Sequence, residues 1–152
     1  MSNNINAERY WEQRFSSGNW QARGGRLQTL SFARGIIPYL EIAKNFTGTI
    51  LDFGCGLGDA IPVYKENFPK ANLMGVDISS SAIELCQMKY GPMAIFLQGD
   101  YRIVPYADVI VTTVVFEHLS DDVSGWRGGF SRGVKTCILL FPTRNGLCVL
   151  SM

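Results

Sequence analysis

The stretch Thr49–Asp59, TILDFGCGLGD, constrains this chain more than any other. It reads as a short buried strand over Thr49–Phe53, a glycine turn over Gly54–Gly58, and a helix over 59–67. Alternating glycines tolerate positive φ and carry no side chain, so a ligand can lie against bare backbone. A strand ending at such a turn is where an open α/β sheet holds a nucleotide-like ligand, beyond the carboxyl ends of its strands.

The turn departs from the dinucleotide fingerprint G-x-G-x-x-G/A, in which a pyrophosphate sits on the helix N-terminus. Gly54 and Gly56 fit, but the third place falls on Asp59, and a start at Gly56 puts Ile61 there. An aspartate at a helix start suits the macrodipole when no anion is bound, and it would repel a pyrophosphate. Asp52, just before the turn, adds a second negative charge. These residues point to a ligand with an adenosine end and a cationic or zwitterionic end.

Three further strand-and-turn units follow. Asn72–Ile78 is an apolar run suited to a buried parallel strand, and Asp77 closes it 19 residues beyond Gly58. That is the spacing of the acidic residue that binds a ribose diol in nucleoside-binding α/β folds. The competing reading makes Asp77 a cap for the next helix, but Ser79–Ser81 already supply caps and Ser81-x-x-Glu84 fits a capping box. The helix over 80–90 stops at Gly91-Pro92. Strand three is Ala94–Gln98, followed by Gly99-Asp100-Tyr101, and strand four is the β-branched run Asp108–Val115, leading into Phe116-Glu117-His118-Leu119.

LDFGCGLGD at 51–59, GVDIS at 75–79, QGDY at 98–101 and FEHLSD at 116–121 together resemble, in order and spacing, the motifs of the class I S-adenosylmethionine-dependent methyltransferases. The resemblance runs from about Tyr10 to Asp122. It implies a Rossmann-like α/β three-layer sandwich with a mostly parallel sheet in the order 3-2-1-4-5. It implies S-adenosylmethionine (SAM) as methyl donor and S-adenosylhomocysteine (SAH) as product. By the same resemblance Asp52, Gly54, Cys55, Gly56 and Gly58 would serve the methionine end, Asp77 and Ile78 the ribose, and Gly99, Asp100 and Tyr101 the adenine. Phe116 and His118 would border cofactor and acceptor. His118 would then be a general base, unless it is a structural or merely exposed histidine.

The flanks are less regular. The expected organisation is one domain over 1–152: an N-terminal helical lid over 1–46, a cofactor-binding core over 47–122, and an atypical tail over 123–152. A short helix within 7–20 brings Tyr10, Trp11, Arg14 and Phe15 to one face, either as packing on the sheet edge or as a lid in which Trp11 covers the cofactor. Gln21–Arg26 reads as a loop. Residues 27–45 show helical spacing at Leu27, Leu30, Ala33, Ile37 and Leu40, with a break at Gly35 or Pro38. In the tail, four glycines within Val123–Lys135 argue against a helix, Thr136–Pro142 reads as a fifth strand, and the family's sixth and seventh strands are expected to be missing. An exposed edge at strand five would offer a surface for a homodimer.

Composition narrows the partners. A net charge of +1 makes no electrostatic case for nucleic acid. No apolar run approaches the roughly 20 residues of a membrane span, and the opening residues lack a signal pattern, so a cytoplasmic protein with a small-molecule acceptor is expected. Four cysteines without a C-x-x-C pair, and one histidine, argue against a metal site. Two rival functions remain. One is a truncated or degenerate SAM-binding protein without turnover, acting through a partner. The other is a nicotinamide-dependent oxidoreductase, against which Asp52 and Asp59 argue.

Overall fold

The structure is a computed structural model that describes residues 8–100, 102–113 and 115, together with the strand paths of 136–143 and 146–151. A six-stranded sheet is its frame, in the order β3-β2-β1-β4-β5-β6. β1 (Thr49–Phe53) lies at the centre, parallel to β2 (Asn72–Asp77) on one side and β4 (Val109–Thr113) on the other. Leu51 stands opposite Met74 in one pair and Ile110 in the other. Ile50, Leu51, Asp52 and Phe53 are all buried, which is why this strand reads as an apolar run interrupted only by one carboxylate.

β3 (Ile95–Gln98) and β5 (Thr136–Thr143) extend the parallel sheet outward. The chain goes from β1 to β2 to β3 on one side and then returns to β4 on the other. The winding reverses at β1, and the crevice at that reversal is where open α/β sheets bind ligands.

The expected order 3-2-1-4-5 is observed, and the sheet continues one strand further. β6 (Gly146–Ser151) runs antiparallel to β5, with Thr143 opposite Gly146. Two residues link them, and Asn145-Gly146 is a hairpin signal that the sequence reading passed over. β5 is therefore paired on both sides, which removes the edge through which a homodimer was expected.

The helices meet the sheet as their sequences dictate. α4 (Ile61–Asn67) buries Ile61, Val63 and Tyr64, and carries Pro62 in the first turn, where a missing N–H costs no helical bond. α5 (Ser80–Tyr90) is capped by Ser79, whose hydroxyl accepts from the Ala82 N–H at 3.1 Å. The expected Ser81–Glu84 box does not form, because the Ser81 hydroxyl turns to Glu12 of α1 (Glu8–Ser16) instead.

The segment expected to be a loop over Gln21–Arg26 is mostly helical. α2 (Asn19–Ala22) and α3 (Gly25–Ile36) meet there at Gly24, whose φ is +79°. A Cβ on Gly25 would collide with the Trp20 ring, so glycine permits this close turn. α3 ends where a 3-10 turn begins at Ile37-Pro38-Tyr39, the break expected near Pro38. Its buried side is Ala33 and Ile36, continued by Leu40, whereas Leu27 is 74% exposed and leaves the expected stripe. The core gathers these residues with Ile50, Ile61, Tyr64, Leu73, Ile83, Phe96 and Val109.

Candidate functional site

The carboxyl ends of β1, β2 and β4 open into a cleft of about 340 Å³. Its floor is the segment Asp52–Gly56, one wall is Asp77 and Ile78 with Gly99 and Asp100, and Thr113 and Val115 flank it. The opposite wall comes from the N-terminal helices: Tyr10, Trp11, Arg14, Phe15 and Trp20, backed by Phe32.

The floor is built by the glycine turn. Gly54, Gly56 and Gly58 have φ of +78°, +51° and +73°. A Cβ on Gly54 would strike Val115, and one on Gly56 would come within 3.3 Å of the Phe15 ring. The Gly54 and Cys55 N–H groups both donate to the Val76 carbonyl, at 2.8 and 3.0 Å, so the turn is stitched to β2.

Asp77 completes that attachment. Its Oδ2 accepts from the Gly56 N–H at 2.8 Å and its Oδ1 from the Ser79 N–H at 3.0 Å. With the Ile78 N–H as a third donor, the carboxylate still keeps acceptor capacity to spare. The helix-cap role considered for Asp77 belongs to Ser79. Burial pushes the Asp77 carboxyl above its ordinary pKa, while N–H donors from Ser79, Gly56 and Ile78 pull it back.

Asp52 is 3% exposed on the cleft floor, and burial, with the Asp77 charge beside it, pushes its pKa up to about 7. A carboxylate so raised returns toward ionisation when a cation is placed next to it, which gives the floor affinity for positive charge.

Asp59 is placed differently from the sequence expectation. It does not face the cleft. It lies 2% exposed behind the turn, accepting from Tyr90 Oη at 2.8 Å, Lys89 Nζ at 3.0 Å and Gln21 Nε2 at 3.3 Å, with Arg26 Nε at 3.7 Å. Its charge is met by these donors, so Asp52 and Asp77, rather than Asp59, set the sign of the cleft.

Asp100 lines the cleft and also closes its own turn. Arg102 grips its carboxylate with Nε at 2.8 Å and with Nη2, and holds it below the usual carboxylate range. A ligand donor at Asp100 would share that carboxylate with Arg102. Cys55 lines the cleft, while its buried thiol reaches the Gly56 carbonyl at 3.8 Å and is pushed well up by a hydrogen bond with Cys86 and by burial. Tyr101, Phe116 and His118 lie outside the described residues.

Trp11 faces the cleft. Its ring stacks on Phe15 at 5.7 Å and meets Tyr10 and Trp20 edge-on at 5.2 and 6.2 Å. Tyr10, Trp11, Arg14 and Phe15 of this helix line the cleft together. α1 is tied to α5 through Glu12, whose Oε2 accepts from the Ser79 hydroxyl at 2.7 Å and the Ser81 N–H at 3.2 Å. The sequence carried no signal for Glu12 or Trp20, and placed Arg14 only on the aromatic face of the first helix. The signal available for Arg14 was a lone cation inside an aromatic stripe.

A family profile described as a methyltransferase domain matches residues 50–132, more than half of the chain. The chain belongs to the methyltransferase-domain family. Methyltransferase ungE' of Aspergillus campestris is 29% identical over 76 residues, covering 47% of this chain and 20% of that protein. The plantazolicin methyltransferase BpumL, solved in complex with a monoazolic desmethylPZN analog and SAH, superposes with a TM-score of 0.68 at 21% identity, covering 93% of this chain and 60% of that one. A TehB-like SAM-dependent methyltransferase from Corynebacterium glutamicum gives a TM-score of 0.63 at 18% identity, over 86% and 76% of the two chains. At these identities the structural likeness concerns the fold. The methyltransferase domain spans 17% and 20% of the length of the curated relatives it matches. Among its described residues, no cluster of three or more His, Cys, Asp and Glu side chains could hold a metal ion, and no helix is long and apolar enough to cross a membrane.

Proposed function

We propose that this methyltransferase domain binds SAM in the cleft and transfers its methyl group to a small-molecule acceptor. The observation that carries the reading is the buried pair Asp52 and Asp77 beside a turn whose Gly54 and Gly56 present bare backbone to the cleft. Such a floor repels phosphate and suits an adenosyl ligand with a positive end.

SAM, when bound, supplies a methyl group activated by a sulfonium. The protein's contribution is then alignment and exclusion of water. Asp77 offers its remaining acceptor capacity to a ribose diol, and Gly99 and Asp100 border the adenine end. Gly54–Gly58 offer bare backbone to the methionine end, where Asp52 supplies negative charge. The aromatic wall of Trp11 and Phe15 closes the cleft from solvent. For Ile78, Tyr101, Phe116 and the general base His118, the roles we propose rest on the sequence resemblance. Free thiols at Cys55 and Cys86 suit a reducing compartment, and we place the domain in the cytoplasm.

Calorimetry with SAH and with NADH tests the reading. SAH binding in the micromolar range with no NADH binding supports it, and NADH binding alone overturns it. Transfer of radiolabelled methyl from SAM to small acceptors then separates a working enzyme from a domain that binds without turnover.

A further inference from the structure

We infer that Cys55 and Cys86 are a redox pair, and that a disulfide between them releases the adenosyl ligand by pulling the glycine turn out of shape. The inference rests on the adenosyl reading of the cleft and adds a control to it.

Cys55 lies in the turn itself and lines the cleft, whereas Cys86 comes from α5. Both are free, at 4% and 0% exposure. They converge on one atom: the Gly56 carbonyl accepts from the Cys86 thiol at 3.2 Å and from the Cys55 thiol at 3.8 Å. The two thiols are also hydrogen-bond partners of each other. Glycines make the room for both. A Cβ on Gly58 would come within 2.9 Å of the Cys86 sulfur, and one on Gly75 within 2.9 Å of the Cys55 sulfur.

Methyl transfer gives neither thiol a task. In the reduced protein they hold the Gly56 carbonyl, while Asp77 holds the Gly56 N–H. A disulfide removes both carbonyl donors at once, because neither sulfur keeps its proton. It also sets the sulfurs about 2 Å apart, closer than thiols in hydrogen-bond contact. The turn is drawn toward α5, the Gly56 carbonyl is left short of partners, and the seat of Asp77 shifts with it.

The oxidant is a peroxide. The Cys55 sulfur attacks one peroxide oxygen, the O–O bond breaks, and water leaves, giving a sulfenic acid. The Cys86 sulfur then attacks the Cys55 sulfur. The S–O bond breaks, and the departing hydroxide takes the Cys86 proton as a second water. Two thiols are oxidised and one peroxide is reduced to two waters. Cys55 reacts first because it lines the cleft. The hydrogen bond with Cys86 and burial push its thiol well up, so it stays protonated at neutral pH and reacts slowly. A ligand in the cleft covers Cys55, and by linkage the disulfide disfavours that ligand. A dithiol reverses the step by exchange.

Peptide mapping joined to calorimetry tests this on the full chain. The four cysteines fall on four tryptic peptides, 45–65, 71–89, 136–144 and 145–152. After hydrogen peroxide and alkylation with N-ethylmaleimide, peptides 45–65 and 71–89 are expected linked. SAH affinity is expected to fall about 10- to 100-fold and to return with dithiothreitol. Saturating SAH during the treatment prevents the link. Cys86→Ser, whose hydroxyl still donates to Gly56, keeps its own untreated affinity through the same exposure. No linked pair, a link through Cys137 or Cys148, a linked protein with unchanged SAH affinity, or an equal loss in Cys86→Ser overturns the inference. The wild-type map decides it even if Cys86→Ser does not fold. A reduced wild type that binds no SAH overturns the cleft reading and the switch with it, whereas SAH binding without a linked pair overturns the switch alone.

Discussion

Glu12 of α1 accepts a 2.7 Å hydrogen bond from the hydroxyl of Ser79, the residue that caps α5. The same carboxylate takes the Ser81 N–H and hydroxyl. Ser79 follows Asp77 by two residues, so the contact that seats α1 on α5 lies beside the carboxylate that braces the glycine turn. The position of α1 and the cleft floor are joined through one helix start.

Replacing Glu12 with Ala releases α1 from α5. The loss of a cap-like acceptor is worth about 1 kcal/mol, a fall in Tm of about 4 °C. Faster amide exchange over Glu8–Ser16 than over α4 is the accompanying readout. Hydrogen bonds from Ser81 and Ser79 lower the Glu12 pKa. A lowered acid contributes stability above its unfolded pKa and loses it as pH falls through the folded value, so the difference between wild type and Glu12→Ala shrinks in acid.

Asp52 behaves in the opposite sense. Its folded pKa of about 7 exceeds the ordinary value of 3.8, so the free protein loses stability as pH rises between the two. Asp52→Asn is therefore expected to raise the Tm of the ligand-free protein at pH 8. A cation bound beside Asp52 favours its ionised form, so SAH affinity climbs with pH and levels off above about 7. Titrations from pH 6 to 8.5 should show this climb in the wild type and a flat profile in Asp52→Asn.

Asp59 makes a separable prediction, because it ties Gln21, Lys89 and Tyr90 together behind the turn. Asp59→Ala removes these bonds at a cost of about 1–3 kcal/mol, measured by urea unfolding. Its partners Lys89 and Arg26 are about half exposed and are rehydrated, which keeps the loss below that of a fully buried pair. Asp59 does not line the cleft, so SAH affinity in the folded variant should change less than it does in Asp77→Ala.

Gly54 combines left-handed backbone with contact against Val115. Gly54→Ala is strained on both counts, with about 1–2 kcal/mol from the backbone conformation alone. A lower Tm together with weakened SAH binding is the expected outcome, whereas Gly18→Ala, at a similar φ but in open space, should lower Tm and leave SAH binding intact.

The parts of the fold that the sequence made legible are those fixed by local chemistry. Thr49–Phe53 is a strand between residues that bury both its faces, and Gly54–Gly58 need the conformations that glycine alone adopts freely. Asp77 was legible because a strand end fixes where its side chain emerges. What escaped depends on partners far along the chain. The direction of Asp59 is set by Lys89 and Tyr90, thirty residues away, and the α5 start is completed by Glu12 from another helix. α2 was obscured by the glycines on either side of it, and β6 by reading the tail for parallel strands alone.

A crystal structure of the protein with SAH measures the central claim directly. The account predicts the ribose hydroxyls within hydrogen-bond distance of both Asp77 oxygens and the thioether end lying along Gly54–Gly58 near Asp52. An empty cleft at saturating SAH, or a ligand bound with Asp77 turned away from its sugar, would contradict it.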